Sequence, residues 1–236
     1  MEKTSDYLIV IPAYNEEKSI EEVVLKAKVY ADICVIDDCS ADRTPEILTK
    51  FEDVHVISHE KNTHIAGALL DGMRYAVEKG YDYVIAMDAG MSHNPDEIPL
   101  FMDHPYCDLI IGTRISKTNT PFYRKFLSAT GNLAFNSCLD FPKSLFRRKQ
   151  YKDITSGYRR YSKKAIRLVL SSKPESKSAD ILFETTMIIY RHGLTISEVP
   201  ITYNFSNSYC DSHVIIDCIS MCLKSIIRQQ TGPEIR

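Results

Sequence analysis

Tyr83-Val84-Ile85-Ala86-Met87-Asp88-Ala89-Gly90 reads as an interior strand that carries one carboxylate to the rim of a sheet. Between Tyr83 and Met87 only the tyrosine is polar, which suits a strand covered on both faces, and Asp88 then leaves the sheet where a ligand can reach it. In an open α/β sheet, ligands settle at that end of the strands. An isolated aspartate there serves equally well as a helix cap or turn former. Two earlier strand ends of the same kind add the weight. Tyr7-Leu8-Ile9-Val10-Ile11 is a β-favouring apolar run closed by Pro12 and followed by Ala13-Tyr14-Asn15-Glu16; Ile33-Cys34-Val35-Ile36 ends in Asp37-Asp38-Cys39-Ser40.

Helical patterns separate these strands. Ile20, Val23, Val24, Ala27 and Val29 form one apolar stripe, a second helix is expected from Thr44 to Phe51 with Pro45 in its first turn, and a third from Ala66 to Glu78. Val54 to Ile57 and Asp108 to Ile111 supply two more strands. The alternation predicts an α/β fold, a mostly parallel central sheet flanked by helices and joined by right-handed crossovers. Beyond Gly112 the pattern changes. A helix over 121–139 is followed by the basic positions Lys143, Arg147, Arg148, Lys149 and Lys152, a loop at Asp153-Ile154-Thr155-Ser156-Gly157, and helices from Lys163 to Leu170 and Ile181 to Arg191. A strand from Thr195 to Tyr203 and an apolar helix from Val214 complete the pattern.

At 236 residues the chain can bury a substantial core. Its 29 basic and 31 acidic residues give no overall attraction to nucleic acid. The polar opening Met1 to Asp6 does not read as a secretory leader, and the longest apolar stretch, Val214 to Ile227, is broken by Asp217 and Lys224 and is too short to span a bilayer. Seven cysteines without regular spacing predict reduced thiols in a cytoplasmic setting.

Together the three strand ends gather an aromatic ring, an amide and several carboxylates on one rim. Such a set can stack a nucleobase on Tyr14, accept from its N–H edge or from ribose hydroxyls, and place a carboxylate near a divalent cation that shields a diphosphate. Neither a Walker sequence nor G-x-G-x-x-G follows the first strand, so no glycine loop cradles phosphate there.

At these residues the chain resembles the inverting nucleotide-sugar glycosyltransferases of family two, which have the GT-A fold. The likeness rests on Val10-Ile11-Pro12-Ala13-Tyr14-Asn15-Glu16, Ile36-Asp37-Asp38-Cys39-Ser40-Ala41-Asp42-Arg43-Thr44 and Met87-Asp88-Ala89-Gly90. It narrows to the polyprenyl-phosphate, dolichyl-phosphate mannose synthase-like branch at Ile111-Gly112-Thr113-Arg114, Asp153-Ile154-Thr155-Ser156-Gly157-Tyr158-Arg159 and Ser197-Glu198-Val199-Pro200-Ile201-Thr202-Tyr203. The resemblance implies a GT-A domain over 1–212, its nucleotide-sugar half at 1–112 and acceptor half at 113–212, with an amphipathic helix and tail at 213–236. It implies that Pro12, Tyr14, Asn15, Glu16, Asp37 and Asp38 hold the donor, that Asp88 and Gly90 lie at its diphosphate, and that Asp88 binds a Mg or Mn ion. Arg114, Arg124 and Ser128 would face the acceptor phosphate, and Asp88, Arg114 and Arg159 would form the catalytic set. The implied reaction moves a mannose- or glucose-like hexose from a GDP- or UDP-linked donor to a polyprenyl or dolichyl phosphate. With a second pKa of about 6, a phosphate monoester is mostly dianionic at neutral pH and attacks the sugar C1 without a protein base.

Departures from the family cluster around the diphosphate. The second Asp of the family's Asp-x-Asp is Gly90, and Ser92 stands where many lipid-linked members carry Gln. The family's glycine-rich loop reads Asn62-Thr63-His64-Ile65-Ala66-Gly67, and the segment after the last strand, Asn207-Ser208-Tyr209-Cys210-Asp211-Ser212-His213, has Asn and His where relatives carry cations. Weaker or differently tuned donor binding is therefore expected. Two rival readings stay open: transfer to a sugar or glycan hydroxyl with Asp153 or Glu184 as base, and a catalytically silent nucleotide-sugar binder. The helix from Val214, with Ile215, Ile216, Ile219 and Leu223 on one face, is expected to lie on the cytoplasmic membrane surface with help from Lys143, Arg147, Arg148 and Lys149, or to pack in an oligomer.

Overall fold

Apolar runs become strands here. In the computed structural model, which describes residues 3–118, 136 and 151–204, these are β1 (Tyr7–Ala13), β2 (Asp32–Asp37), β3 (His55–Ser58) and β4 (Tyr83–Ala86). They are buried along most of β1, β2 and β4 and only partly covered in the edge strand β3. Along β1, Leu8 and Val10 enter one buried cluster and Ile9 and Ile11 the other, so the core lies in two layers about the sheet. The expected helix over 121–139 with Arg124 and Ser128, the basic run 143–149, the segment 207–213 and the helix from Val214 lie outside the described residues.

Helices α1 (Ile20–Ala27), α2 (Thr44–Leu48) and α3 (His64–Lys79) cross between the parallel strands. The second is shorter than expected because Lys50 and Phe51 donate to carbonyls three residues back, which closes the helix in tight turns. The third begins two residues early, where Asn62 Oδ1 accepts from the His64 N–H, and stops at Gly80, whose φ of 79° an L side chain rarely adopts. At Gly72 this helix touches β1 closely enough that a Cβ would stand 2.3 Å from Val10 Cγ1.

A 3-10 turn at Pro95–Glu97 leads into α4 (Ile98–Met102), followed by β5 (Leu109–Thr118), β6 (Arg159–Ser162), α5 (Lys163–Ser171), α6 (Ile181–Arg191) and β7 (Ile196–Asn204). Strand order among the described residues is β3-β2-β1-β4-β6-β5-β7. β6 pairs antiparallel with both β4 and β5, while all other pairings are parallel. The sheet is thus mostly parallel, with one reversed strand that sequence reading missed.

The reason lies in Arg159 and Arg160, which look like solvent-facing charges and are instead 0% and 1% exposed. Alternation sends them to opposite faces. Arg160 donates to the carbonyls of Phe101, His104, Pro105 and Cys107, satisfying the end of α4 and the turn beyond it. β5 also runs further than expected, straight through 112, because the β6 ladder ends opposite Ile111 while, among the described residues, β7 continues to pair with β5 as far as Thr118.

Pro12, expected to end β1, lies inside it. Val10 faces β4, since its carbonyl accepts from Met87, and Ala13 faces β2 through Asp38. By alternation Pro12 turns toward β4 beyond that strand's last paired residue, so its missing N–H breaks no ladder.

Candidate active site

Three neighbouring parallel strands build the rim. Ala13 sits opposite Asp37 and Val10 opposite Ala86, so Tyr14, Asp38 and Asp88 emerge on one edge, across two strand spacings or roughly 10 Å. β2 and β3 lie to one side of β1 and β4 to the other; the crevice between β1 and β4 is where a doubly wound sheet reverses its order.

The loops on this rim are held by polar stitches. Asn15 N–H donates to Ser40 Oγ at 2.9 Å, its Oδ1 accepts from Ala41 at 2.8 Å, and the Glu16 N–H donates to Thr44 Oγ1 at 2.8 Å. Four non-glycine residues take left-handed φ just after the four strands: Asn15 (56°), Cys39 (66°), His64 (57°) and Met91 (57°). Each costs on the order of 1–2 kcal/mol, and their gathering along one edge is the pattern of a pre-shaped ligand rim.

Tyr14 is 50% exposed and available for stacking. Asn15, expected at the donor, is exposed and spends its amide oxygen on a loop stitch. Asp37, also expected at the donor, is buried; its Oδ1 accepts from Ser40 N–H at 3.3 Å and its carbonyl from His59 N–H at 2.9 Å, so it shapes the turn. Pro12 contributes backbone shape alone. Glu16 is half-buried and accepts from Ser19 Oγ at 2.8 Å; burial raises its carboxyl pKa, and the charge of Asp88 adds to the rise.

Asp38 is the better-held carboxylate. Its Oδ1 accepts from His59 Nδ1 at 2.7 Å, Thr63 N–H at 2.8 Å and Thr63 Oγ1 at 2.9 Å. Because a carboxylate only accepts, His59 carries its proton on Nδ1. His59 Nε2 lies 3.1 Å from Asp71 Oδ2 but is misaligned for a hydrogen bond. In this loop the His64 side chain is exposed, whereas His59 and Thr63, which the sequence does not single out, hold Asp38. Their only signal is position, after the strand beside Asp38.

Asp88 keeps 40% of its side chain exposed. Its N–H donates to His93 Nδ1 at 3.1 Å, and His93 is buried between Tyr158, stacked at 4.8 Å, and Tyr203 at 5.9 Å. Burial lowers the His93 pKa, opposed by the Asp88 carboxylate, so the ring is a neutral prop. Opposite stands Gly157, where a Cβ would come within 3.2 Å of Asp88 Oδ1. Sequence reading singled out neither His93 nor the closeness of Gly157.

Arg114 sits beside this group, but not as an open phosphate fork. Its Nε and an Nη each donate to Asp153 at 2.6 Å, an Nη also bonds Thr155 Oγ1, and the guanidinium lies 5.0 Å over Tyr203. Arg159 is corrected outright as a substrate-facing residue. It donates to the carbonyls of Ile154, Ser156 and Leu182 and to Thr186 Oγ1, pinning the loop that carries Gly157 onto α6. Of the two weighed bases, Asp153 is closed on Arg114, and Glu184 accepts from the N–H groups of Glu175 and Ser176.

The model of the glycosyl transferase family 2 matches residues 8–170. The chain belongs to that family. Over 208 residues this glycosyltransferase is 32% identical to undecaprenyl-phosphate mannosyltransferase of Micrococcus luteus, covering 83% of this chain and 82% of that protein. Over 220 residues it is 33% identical to UDP-N-acetylglucosamine–dolichyl-phosphate N-acetylglucosaminyltransferase of Methanococcus voltae, covering 82% and 83%. Its fold is similar to glucosyl-3-phosphoglycerate synthase from Mycobacterium tuberculosis, solved with Mn2+, UDP-glucose and phosphoglyceric acid, at a TM-score of 0.68 and 16% identity over 97% of this chain and 81% of that one. The GT-A architecture and the nucleotide-sugar glycosyltransferase class expected from sequence both stand.

A divalent ion fits this glycosyltransferase only in company. Asp88 keeps 40% of its side chain exposed at the β4 end, Gly90 has no side chain, and no group of three acidic, His or Cys residues suited to a metal exists among the described residues. One carboxylate with substrate phosphates and water is a normal coordination for Mg2+, whereas a metal held by protein alone needs more ligands. No described helix is long and apolar enough to cross a membrane.

Proposed function

We propose that this glycosyltransferase moves a hexose from a nucleoside diphosphate sugar to a polyprenyl phosphate with inversion at C1. The observation that supports it most is the convergence of Tyr14, Asp38 and Asp88 on the crevice where the strand order reverses. Tyr14 stacks the base, Asp38 accepts from the nucleoside, and Asp88 meets the diphosphate through a divalent ion, which when bound would neutralise the departing phosphates. The names of the two polyprenyl-type relatives favour a lipid phosphate acceptor. So does the engagement of Asp153 and Glu184 in structural bonds, because a dianionic phosphate needs no base.

An acceptor oxygen forms the new bond to C1 as the C1–oxygen bond to the nucleoside diphosphate breaks, and that diphosphate carries off the electron pair. The protein's part is alignment and charge stabilisation. The nucleotide-sugar half at 1–112, the acceptor half at 113–212 and attachment of 213–236 to the cytoplasmic membrane face belong to the same proposal. Turnover with radiolabelled UDP- and GDP-hexoses and short polyprenyl phosphates tests it: label enters the lipid fraction with the phosphate and not with the free polyprenol. Label entering only water-soluble glycans sinks the lipid assignment, and no transfer in either fraction sinks the reaction.

A further inference from the structure

Arg114 is held by one edge and one face. Its Nε donates to Asp153 Oδ2 and its Nη2 to Oδ1, each at 2.6 Å, and Nη2 donates again to Thr155 Oγ1. The guanidinium carbon lies 5.0 Å from the centre of the Tyr203 ring, on a side chain only 14% exposed. Nη1, with two N–H groups, makes no hydrogen bond among the described residues and is not sealed from solvent. The group belongs to the Asp88 side of the rim. Tyr203 is 5.9 Å from His93, whose Nδ1 accepts from the Asp88 N–H, and the Arg114 charge is felt at His93 as that of Asp88 is at Arg114.

Asp153 is differently placed. Its Oδ2 accepts from the Arg114 backbone N–H at 3.3 Å as well as from Nε, its Oδ1 from Thr155 Oγ1 at 2.8 Å as well as from Nη2, and its side chain is 3% exposed. Two donors on each oxygen turn neither toward a proton of the acceptor.

We infer that Asp153 and Thr155 are positioning residues, which clamp one edge of Arg114 so that Nη1 is delivered to a phosphate oxygen at the reacting centre. The inference rests on the proposed glycosyl transfer and adds how its cation is aimed. A buried ion pair contributes little net stability against apolar side chains of the same volume, so the reason for this one lies in what it orients. A free arginine loses the freedom of several torsions on closing over a phosphate; one fixed by a carboxylate and a ring has lost it before substrate arrives. Because the side-on fork is taken by Asp153, Nη1 makes a contact at one nitrogen, and such a contact depends on aim. The acceptor phosphate and the donor diphosphate share the chemistry it would meet.

Kinetics of the unaltered chain come first. With a polyprenyl phosphate and the matching phosphonate, whose second pKa is higher, the rise of kcat/KM with pH should move with the acceptor. A rise fixed at one pH for both acceptors, and lost in Asp153→Asn, makes Asp153 a base and overturns the inference. Asp153→Ala should lower kcat/KM about 100-fold as the guanidinium loses its aim, and should lower it no further in an Arg114→Gln background, where nothing is left to aim. Thr155→Val takes away one stay without uncovering a charge and should lose severalfold. In Asp153→Ala, a raised acceptor KM with metal-free UDP affinity unchanged assigns Nη1 to the acceptor phosphate; weaker UDP binding with acceptor KM unchanged assigns it to the diphosphate. Losses that multiply in the double variant, or Asp153→Ala within about twofold of the parent, overturn the inference and leave glycosyl transfer standing. A parent chain that transfers to no acceptor removes the reaction and the inference with it.

Discussion

At the scale of single residues, the space around Asp88 sets what the site can do. Gly157 leaves room for its carboxylate, and a Cβ there would press Oδ1 at 3.2 Å and His93 Cε1 at 3.6 Å. Gly157→Ala should therefore lower kcat/KM about tenfold through a displacement of well under an ångström, with little change in melting temperature. Asp88→Asn keeps the shape and removes the charge; transfer should fall on the order of 100-fold while the UDP affinity measured without metal stays within about twofold. An equal loss of metal-free UDP binding would mean that Asp88 touches the nucleotide directly. That Tyr14, Asp38 and Asp88 reach one rim was legible because each follows an apolar run. Asn15, Asp37 and Arg159 were read by type alone, and type does not say whether a polar group spends its bonds on a ligand or on its neighbours.

Among the elements, β6 and the loop before it hold the two halves of the sheet together. Asp108, at the start of β5, accepts from Thr195 N–H and Oγ1 at 2.9 Å each, from Tyr106 Oη at 2.9 Å and from Ser162 Oγ at 3.1 Å, joining β5, β6 and β7. Burial alone would raise its pKa, but these donors outweigh burial and hold the carboxyl below its usual range. A carboxyl depressed on folding adds stability above its unfolded value, about 3.9, and loses it as pH falls through the lower folded value. Asp32, bonded by Thr4, Ser5 and Tyr81, is lowered in the same way and shares that window. Urea midpoints should drop below about pH 4 in the parent chain and drop less steeply in Asp108→Asn, itself destabilised by about 1–3 kcal/mol. A parallel pH slope in the variant would assign the acid sensitivity elsewhere. Gly72→Ala should cost about 1–3 kcal/mol, because the new methyl would overlap Val10 where α3 crosses β1.

For the whole molecule, the proposed site predicts that nucleotide and cation depend on each other. With Asp88 as the exposed carboxylate at the β4 end and no side chain at Gly90, Mn2+ titrated alone should bind weakly, in the millimolar range, and at least about tenfold tighter once UDP is present. By linkage UDP should gain the same factor from the ion; affinities unchanged by the partner would take the metal out of the site. The alternation of apolar runs and helical stripes determined the α/β class, the parallel β1 to β4 and the rim with Asp38 and Asp88, since hydrophobic periodicity and strand-end chemistry act locally along the chain. Only the tertiary structure placed antiparallel β6 between β4 and β5, buried Arg159 and Arg160 among backbone carbonyls, closed Asp153 on Arg114, and set His59 and Thr63 on one oxygen of Asp38. Those outcomes turn on which hydrogen-bond partners meet from distant parts of the chain, and a residue's own type does not encode its partner.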